Sequence, residues 1–439
     1  MEKLCRKSPS PYPVKALQFG EGNFLRAFID WMLCRMNKQN CFNGSVRIIQ
    51  VLEKGMGDVI NSQDGLYHVI MRGVENGKAV ENIELVDSVE SVVNAVTERE
   101  KMLESALLPE LRFVFSNTTE AGIEYRENAD TFPFKVSQIV TARCNAGLPG
   151  LIFIPCELIE SNGSKLKECV LKYISDEKVR SYVENECIFC NTLVDRIVAG
   201  YPKDEAANYC RKLGVEDNLL VCCEPFFFFV IECPESVRAE FPADKAGIDV
   251  VFTNDQTPYR TRKVRFLNGS HTASVLGAHL ANLTFVHEMV ADEKFGSFLK
   301  KVLFEEVMPT IDLPEADKKQ YADSIFDRFA NPFANHRLLS IALNSTSKWK
   351  VRVLPTLLDY VKITGKLPEN LTASMAYLIA FYRNCEIQDN PEVIEFFKQD
   401  PPLTDILGNQ DLWGMDLNTI PGFTDAVKTE LKKNGYSSL

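Results

Sequence analysis

Short β-branched runs alternate with amphipathic helical stretches up to about residue 255, and then strand signals nearly vanish. That rhythm constrains the chain more than any other feature, because it is satisfied by a parallel sheet with helices on its faces. The expected strands are "VKALQFG" (14–20), "VRIIQVLE" (46–53), "LRFVFSN" (111–117), "GLIFIPC" (150–156) and "NLLVCCE" (218–224). Between the first two lies a helical stretch, 23–37, in which Phe24, Phe28, Trp31, Met32 and Arg35 recur at helical spacing. "YHVIMRGV", the turn "ENGK" and "AVENIELVDSV" read as an interrupting hairpin. Farther on, helical periods over 260–283, 293–307, 335–343, 347–363 and 369–385 predict an all-α domain. The turn residues of "VVFTNDQTP" set the boundary, giving domains 1–255 and 256–439.

A length of 439 residues agrees with two domains. The net charge of −11 argues against a nucleic-acid or anionic-membrane face, since both need a basic surface. The N-terminus lacks the apolar run of a signal peptide, and "FFFFVI" (226–231) is far too short to span a bilayer. Thirteen cysteines, scattered without scaffold spacing, point to reduced thiols and a cytoplasmic setting. "CIFC" (187–190) and Cys222-Cys223 sit in apolar, strand-like runs, where cysteine acts as a small buried hydrophobe rather than a zinc ligand. No metal is expected.

"LQFGEGNFLRAF" places Gly20 and Gly22 directly after the first strand and opens a helix at Asn23 and Phe24. A G-x-G at a strand–turn–helix junction permits a tight turn and lets a pyrophosphate approach backbone N–H groups at a helix N-terminus. Leu25 stands where the usual third glycine would be. The fold class expected is therefore α/β, a Rossmann-type doubly wound sheet followed by a helical substrate domain. Glu53, read as the end of the second strand, would bind the adenosine ribose hydroxyls and repel a 2′-phosphate, favouring NAD over NADP. Asn117 and Thr118, in "SNTTEAG", would serve the nicotinamide half; a plain polar loop is the bland alternative.

"KVRFLNGSHTA" puts Lys263, Asn268 and His271 on one predicted helix. At 100° per residue they fall at about 0°, 140° and 80°, so they share a side. A solvated polar face explains that as simply. The chemical alternative is carbonyl reduction, which builds negative charge on the ketone oxygen and needs a proton there. A lysine supplies the proton if desolvation or neighbouring cations make its ammonium a stronger acid. An asparagine amide stabilises the developing alkoxide, and a histidine holds an adjacent hydroxyl.

K-x(4)-N-x(2)-H within "KVRFLNGSH" resembles the signature of the polyol-specific long-chain dehydrogenases, the mannitol dehydrogenase family. "FGEGNFLRAF", "QDGLYHVI" (63–70), "NTLVDRIVAGYP" (191–202), "EPFFFFVIE" (224–232) and "HRLLSIALNSTSKWKVRVLPTLL" (336–358) are similar to family segments in the same order. The resemblance implies a metal-independent NAD(H) enzyme with Lys263 as general acid/base, Asn268 as oxyanion donor and His271 as hydroxyl ligand. Asp195, in "VDRI", would match the acidic residue near the nicotinamide and the catalytic lysine. Two positions depart from the mannitol branch: Leu158 in "CELI" replaces an oxyanion asparagine, and Arg260 replaces a glutamate. Both point away from a neutral polyol and toward a carboxylated ketose, a hexuronate, with Lys348, Arg352 and Arg260 as its candidate cations. Other hexuronates or a polyol on the same scaffold, and a nucleotide-binding regulator, stay open as alternatives. The expected partner is a small sugar acid, and monomer and homodimer are equally open.

Overall fold

The computed structural model describes residues 1–436 and divides into two compact units. The first comprises Met1–Arg72 and Val80–Gln256; the second takes Thr257 onward together with Gly73–Ala79. A contiguous first domain ending at residue 255 does not capture this, because a hairpin tip groups with the second unit. The hairpin strands, Tyr67–Glu75 and Lys78–Val86, turn through Asn76 at φ 52° and Gly77 at φ 72°. Both turn N–H groups donate to the Asp327 carboxylate, at 2.7 and 3.1 Å. Two left-handed residues make a tight turn whose twist suits the strands it joins.

Six parallel strands form the main sheet of the first unit, in the spatial order Val89–Asn94, Ser45–Gln50, Val14–Phe19, Phe113–Ser116, Ile152–Pro155, Ile188–Phe189. Numbered along the chain this is 3-2-1-4-5-6, the doubly wound dinucleotide order, with its switch point between the first and fourth strands. Alternate side chains serve opposite faces. Ala16, Phe113, Phe115, Ile152 and Ile154 join one core, whereas Leu17, Phe19, Val114 and Phe153 join the other. Burial on both faces is why these strands read as unbroken apolar runs. Helices Arg99–Ala106, Phe132–Asn145, Asn162–Lys172 and Glu177–Asn185 cover the second face.

One strand expectation needs correction, and two strands were not anticipated. "NLLVCCE" is not in the main sheet: only Val221–Cys223 is extended, and it pairs with Val198–Gly200 and with the hairpin in a four-stranded sheet. Leu219, Val221 and Cys223 feed one cluster while Leu220 and Cys222 feed another, so the run is apolar whichever sheet holds it. The missing places in the main sheet go to Val89–Asn94 and to the two residues Ile188–Phe189, too short to signal themselves. A third sheet pairs Asn191–Asp195 with Phe228–Glu232, which in turn pairs with Val250–Thr253.

In the second unit, helix Glu369–Asn384 is buried continuously from Leu371 to Tyr382 and packs on Ser270–Leu280 and Phe423–Lys433. Its N-terminus is capped by the buried Glu306 carboxylate, which accepts from the N–H groups of Asn370 and Leu371 at 2.7 and 2.8 Å. The expected helix 347–363 is broken into Ser345–Arg352 and Leu354–Thr364, since Pro355 has no N–H to continue the ladder. Of 335–343 only Leu338–Ile341 is helical. Among the described residues no helix is long and apolar enough to cross a membrane.

Candidate functional site

The first unit builds a nucleotide surface at the switch point. Gly20 has φ +113°, and a Cβ there would stand 3.0 Å from the Asn117 carbonyl oxygen, so the two loops meet because this residue has no side chain. A Cβ on Gly22 would meet nothing within 4 Å: the space above the first helical turn is open. Asn23 and Phe24 begin a continuous helix running through Asn23–Leu25, a π-helical segment Arg26–Asp30, and Trp31–Lys38. Arg26 is buried; it donates to the Leu219 carbonyl and to Asn23 Oδ1, both at 2.6 Å. Asp30, beneath it, accepts from the Tyr67 hydroxyl at 2.8 Å, and burial pushes its carboxyl up to about 7.

Glu53 does not end the second strand. That strand stops at Gln50, whose side-chain amide donates to the carbonyls of Leu52 and Glu53 and whose oxygen accepts from the Gly57 N–H at 2.9 Å. The turn so formed carries Glu53 to the rim of a cavity of about 240 Å³ lined by Gln50, Lys54, Asp58 and Asn94 as well. Gln50 and Asn94 are additions to the sequence reading, recognisable only once their two strands are known to be neighbours. An open turn at Gly22 and an acid-lined cavity past the second strand fit a dinucleotide with free ribose hydroxyls.

Thr118 is anchored by Glu157, an acid that sequence reasoning passed over. The Glu157 carboxylate accepts from the Thr118 N–H and hydroxyl and from the Ser116 hydroxyl, at 3.0 to 3.1 Å. Asn117 donates to the Cys156 carbonyl at 3.0 Å. Leu158, which on the family resemblance replaces an asparagine, is exposed. Asp195 is buried at the end of its strand, opposite Phe228. Its neighbour Arg196 lies over the Trp31 ring at 4.4 Å and donates to the carbonyls of Ala27 and Glu224 at 2.9 and 3.1 Å. Arg196 therefore ties the Asp195 loop to the helix that follows the glycine turn.

The second unit presents Lys263, Asn268 and His271 on one continuous helix of unequal winding. Thr257–Lys263 and Ser270–Leu280 are α-helical, and Val264–Gly269 between them is a π segment. A π turn is one residue wider than an α turn, so residues five apart come nearly into line. The 140° expected between Lys263 and Asn268 on a uniform α-helix is thereby corrected to a near-common face. Arg262 stacks on Tyr321 at 4.1 Å, and Arg265 bonds the Thr310 carbonyl at 2.9 Å and Asp359 at 2.5 Å, so both arginines serve the fold.

His271 lies flat on Phe329, with ring centroids 3.7 Å apart, and edge-on to His336 at 5.7 Å. Burial, then His336, Arg328, Arg352 and Lys348, hold its pKa well below the ordinary 6.5, so the imidazole is neutral. Its Nε2 has no hydrogen-bond partner among the described residues. Gly269 permits this assembly: a Cβ there would come within 3.0 Å of the Arg352 carbonyl oxygen. Lys348 and Arg352 are half-buried, and among the described residues neither forms an ion pair; Lys348 donates only to the Ile341 carbonyl, at 2.9 Å. Burial lowers both their pKa values, and in Lys348 the Arg352 charge adds to it. Lys350 points elsewhere, toward the Asp411 carbonyl. Arg260 is half-buried on the preceding α segment and is not among the charges acting most strongly on His271. Arg328 and His336 are among them, and nothing in the sequence marked Arg328.

Among the described residues no three His, Cys, Asp or Glu side chains are grouped to hold a metal ion. Cys187 and Cys190 flank the edge strand of the main sheet, while Cys222 and Cys223 lie in the four-stranded one.

A doubly wound dinucleotide unit, joined to a helical unit whose lysine, asparagine and histidine share a helix, defines a two-unit oxidoreductase of the dehydrogenase type. The chain belongs to the mannitol dehydrogenase family: it matches that family's Rossmann domain over residues 14–245 and its C-terminal domain over 255–434. It is 40% identical to the altronate oxidoreductase of Phocaeicola vulgatus, over 95% of this chain and 94% of that one. With the altronate oxidoreductase of Bacillus subtilis it shares 40% identity, over 96% and 92%. Its fold is that of D-sorbitol dehydrogenase in substrate-free form, with TM-score 0.83, 20% identity and coverage of 98% and 96%. It also superimposes on Pseudomonas fluorescens mannitol 2-dehydrogenase, solved with NAD and D-mannitol, with TM-score 0.70, 20% identity and coverage of 99% and 95%.

Proposed function

We propose that this oxidoreductase interconverts D-tagaturonate and D-altronate with NAD(H), without a metal, within hexuronate catabolism. The observation that carries the reading is the pair of half-buried cations, Lys348 and Arg352, which among the described residues form no ion pair, and whose charges act on a neutral His271 with no hydrogen-bond partner on Nε2 among those residues. Half-buried cations without carboxylate partners are costly unless a ligand supplies the negative charge. The altronate oxidoreductase relatives support the same substrate class.

NADH, when bound to the first unit, supplies the hydride. The work of the chain is to orient the keto acid and move one proton. Lys348 and Arg352 bind the carboxylate, which fixes which end of the sugar acid lies at the helix. His271 Nε2 exchanges a hydrogen bond with a hydroxyl next to the ketone. Asn268 donates to the ketone oxygen as negative charge develops on it, and Lys263 delivers the proton there. In oxidation the same lysine removes that proton.

A spectrophotometric panel of tagaturonate, fructuronate, fructose and fructose 6-phosphate with NADH tests the assignment. Tagaturonate is expected to give the highest kcat/KM. A preference for fructuronate transfers the reading to the epimeric acid, and a preference for fructose removes the carboxylate from it.

A further inference from the structure

Antiparallel strands Asn191–Asp195 and Phe228–Glu232 pair Asn191 with Glu232 and Thr192 with Ile231. One step beyond the first of those pairs, the same register sets Cys190 opposite Cys233. The Cys190 N–H donates to the Phe153 carbonyl at 2.9 Å, and the Cys233 N–H to the Thr253 carbonyl at 3.0 Å. Neither amide is spent on the other residue, so this is a narrow, non-hydrogen-bonded position of the ladder. Opposed Cα atoms there stand about 4.5 Å apart with side chains on one face. That separation lies within the range a disulfide spans without moving the backbone.

The two thiols are close enough to perturb one another's titration. Each acts on the other, so that the Cys233 thiol lies below its ordinary pKa and Cys190 above it, where burial also pushes it. Cys190 is fully buried, while Cys233 is half-buried and open to a small reagent. One accessible, more acidic thiol backed by a buried partner is the arrangement of an attacking and a resolving cysteine.

We propose that Cys190 and Cys233 form a reversible disulfide in the folded protein, without rearrangement of the strand ladder, when the protein meets a peroxide. The Cys233 thiolate attacks one peroxide oxygen; the O–O bond breaks, leaving a sulfenic acid and, after protonation, one water. The Cys190 sulfur then attacks the Cys233 sulfur, the S–O bond breaks, and a second water leaves with the Cys190 proton. Two thiols lose two electrons and the peroxide gains them. A dithiol reductant reverses the change by exchange.

The site is independent of the substrate assignment, so its test needs no sugar. Folded protein is treated with stoichiometric hydrogen peroxide, alkylated, digested without reductant and mapped by mass spectrometry. A Cys190–Cys233 cross-link is expected in wild type, removed by dithiothreitol and absent from Cys233→Ser. Because the bond closes the chain from 190 to 233, the thermal midpoint of the oxidised wild type should rise by about 5 °C or more. Cys233→Ser should show no such rise. Three results overturn the proposal: sulfinic acid at Cys233 with no cross-link, a cross-link that forms only in denaturant, or a cross-linked protein whose midpoint falls.

Discussion

Lys348 and Arg352 stand one helical turn apart on Ser345–Arg352, and the Arg352 carbonyl rests against Gly269 of the helix that carries His271. A charge-assisted hydrogen bond to a carboxylate contributes roughly 1.5–3 kcal/mol, so losing one partner should cost about 10- to 100-fold. Lys348→Ala and Arg352→Ala are therefore expected to lower kcat/KM on tagaturonate by that factor, with a much smaller effect on fructose. An equal fall on both substrates would assign the two cations to the fold instead. In the proposed reaction Lys263 acts at another point, the proton. Lys263→Ala should lower turnover by about 10²–10⁴ while NADH affinity, followed by fluorescence titration, stays within a few-fold. Near-normal turnover in that variant would move the acid/base role to another side chain.

The elements that hold the candidate residues depart from uniform geometry in two helices. One π segment, Arg26–Asp30, follows the glycine turn, and another, Val264–Gly269, lies between Lys263 and His271. In each the wider turn changes which residues share a face of the helix. The turn after Ser45–Gln50 has the same standing: Gln50 folds it back, and Glu53 reaches the cavity by that turn rather than by strand extension. A carboxylate at that rim disfavours a 2′-phosphate by like-charge repulsion, so NADH should be preferred over NADPH by about tenfold or more in kcat/KM. Glu53→Ala should narrow the ratio. Equal use of both cofactors by the wild type would place the ribose elsewhere.

At the scale of the whole molecule, the buried histidines set an acid limit. His271 and His336 both have folded pKa values below the ordinary 6.5. Below about pH 6.5 the unfolded chain therefore binds more protons than the folded one, so stability rises with pH there and is lost on acidification. Asp30 has the opposite sign: its pKa rises from 3.8 to about 7, so its contribution falls as pH rises between those values. The two effects lie in different units. Calorimetry at pH 7.5 and 5.5 should show the transition of the helical unit falling on acidification, and His271→Asn should reduce that fall. A transition that holds its midpoint at pH 5.5 would mean the histidines titrate normally.

The α/β-then-α order, the glycine turn and the placing of Lys263, Asn268 and His271 on one helix were all legible in the chain before any fold was known. Those features live in local spacing and residue type, which survive in one dimension. Local spacing also put Lys348 and Arg352 together, because residues one turn apart on a helix share a face. Other features came from folding in three dimensions. It put Val89–Asn94 rather than Val221–Cys223 in the main sheet, because an apolar run carries no record of which neighbour it pairs with. Glu157 reached Thr118, Arg196 reached Ala27, and Arg328 and His336 reached His271 across long stretches of chain. Such pairings depend on where buried charges find partners in space, and no periodicity in the sequence encodes that.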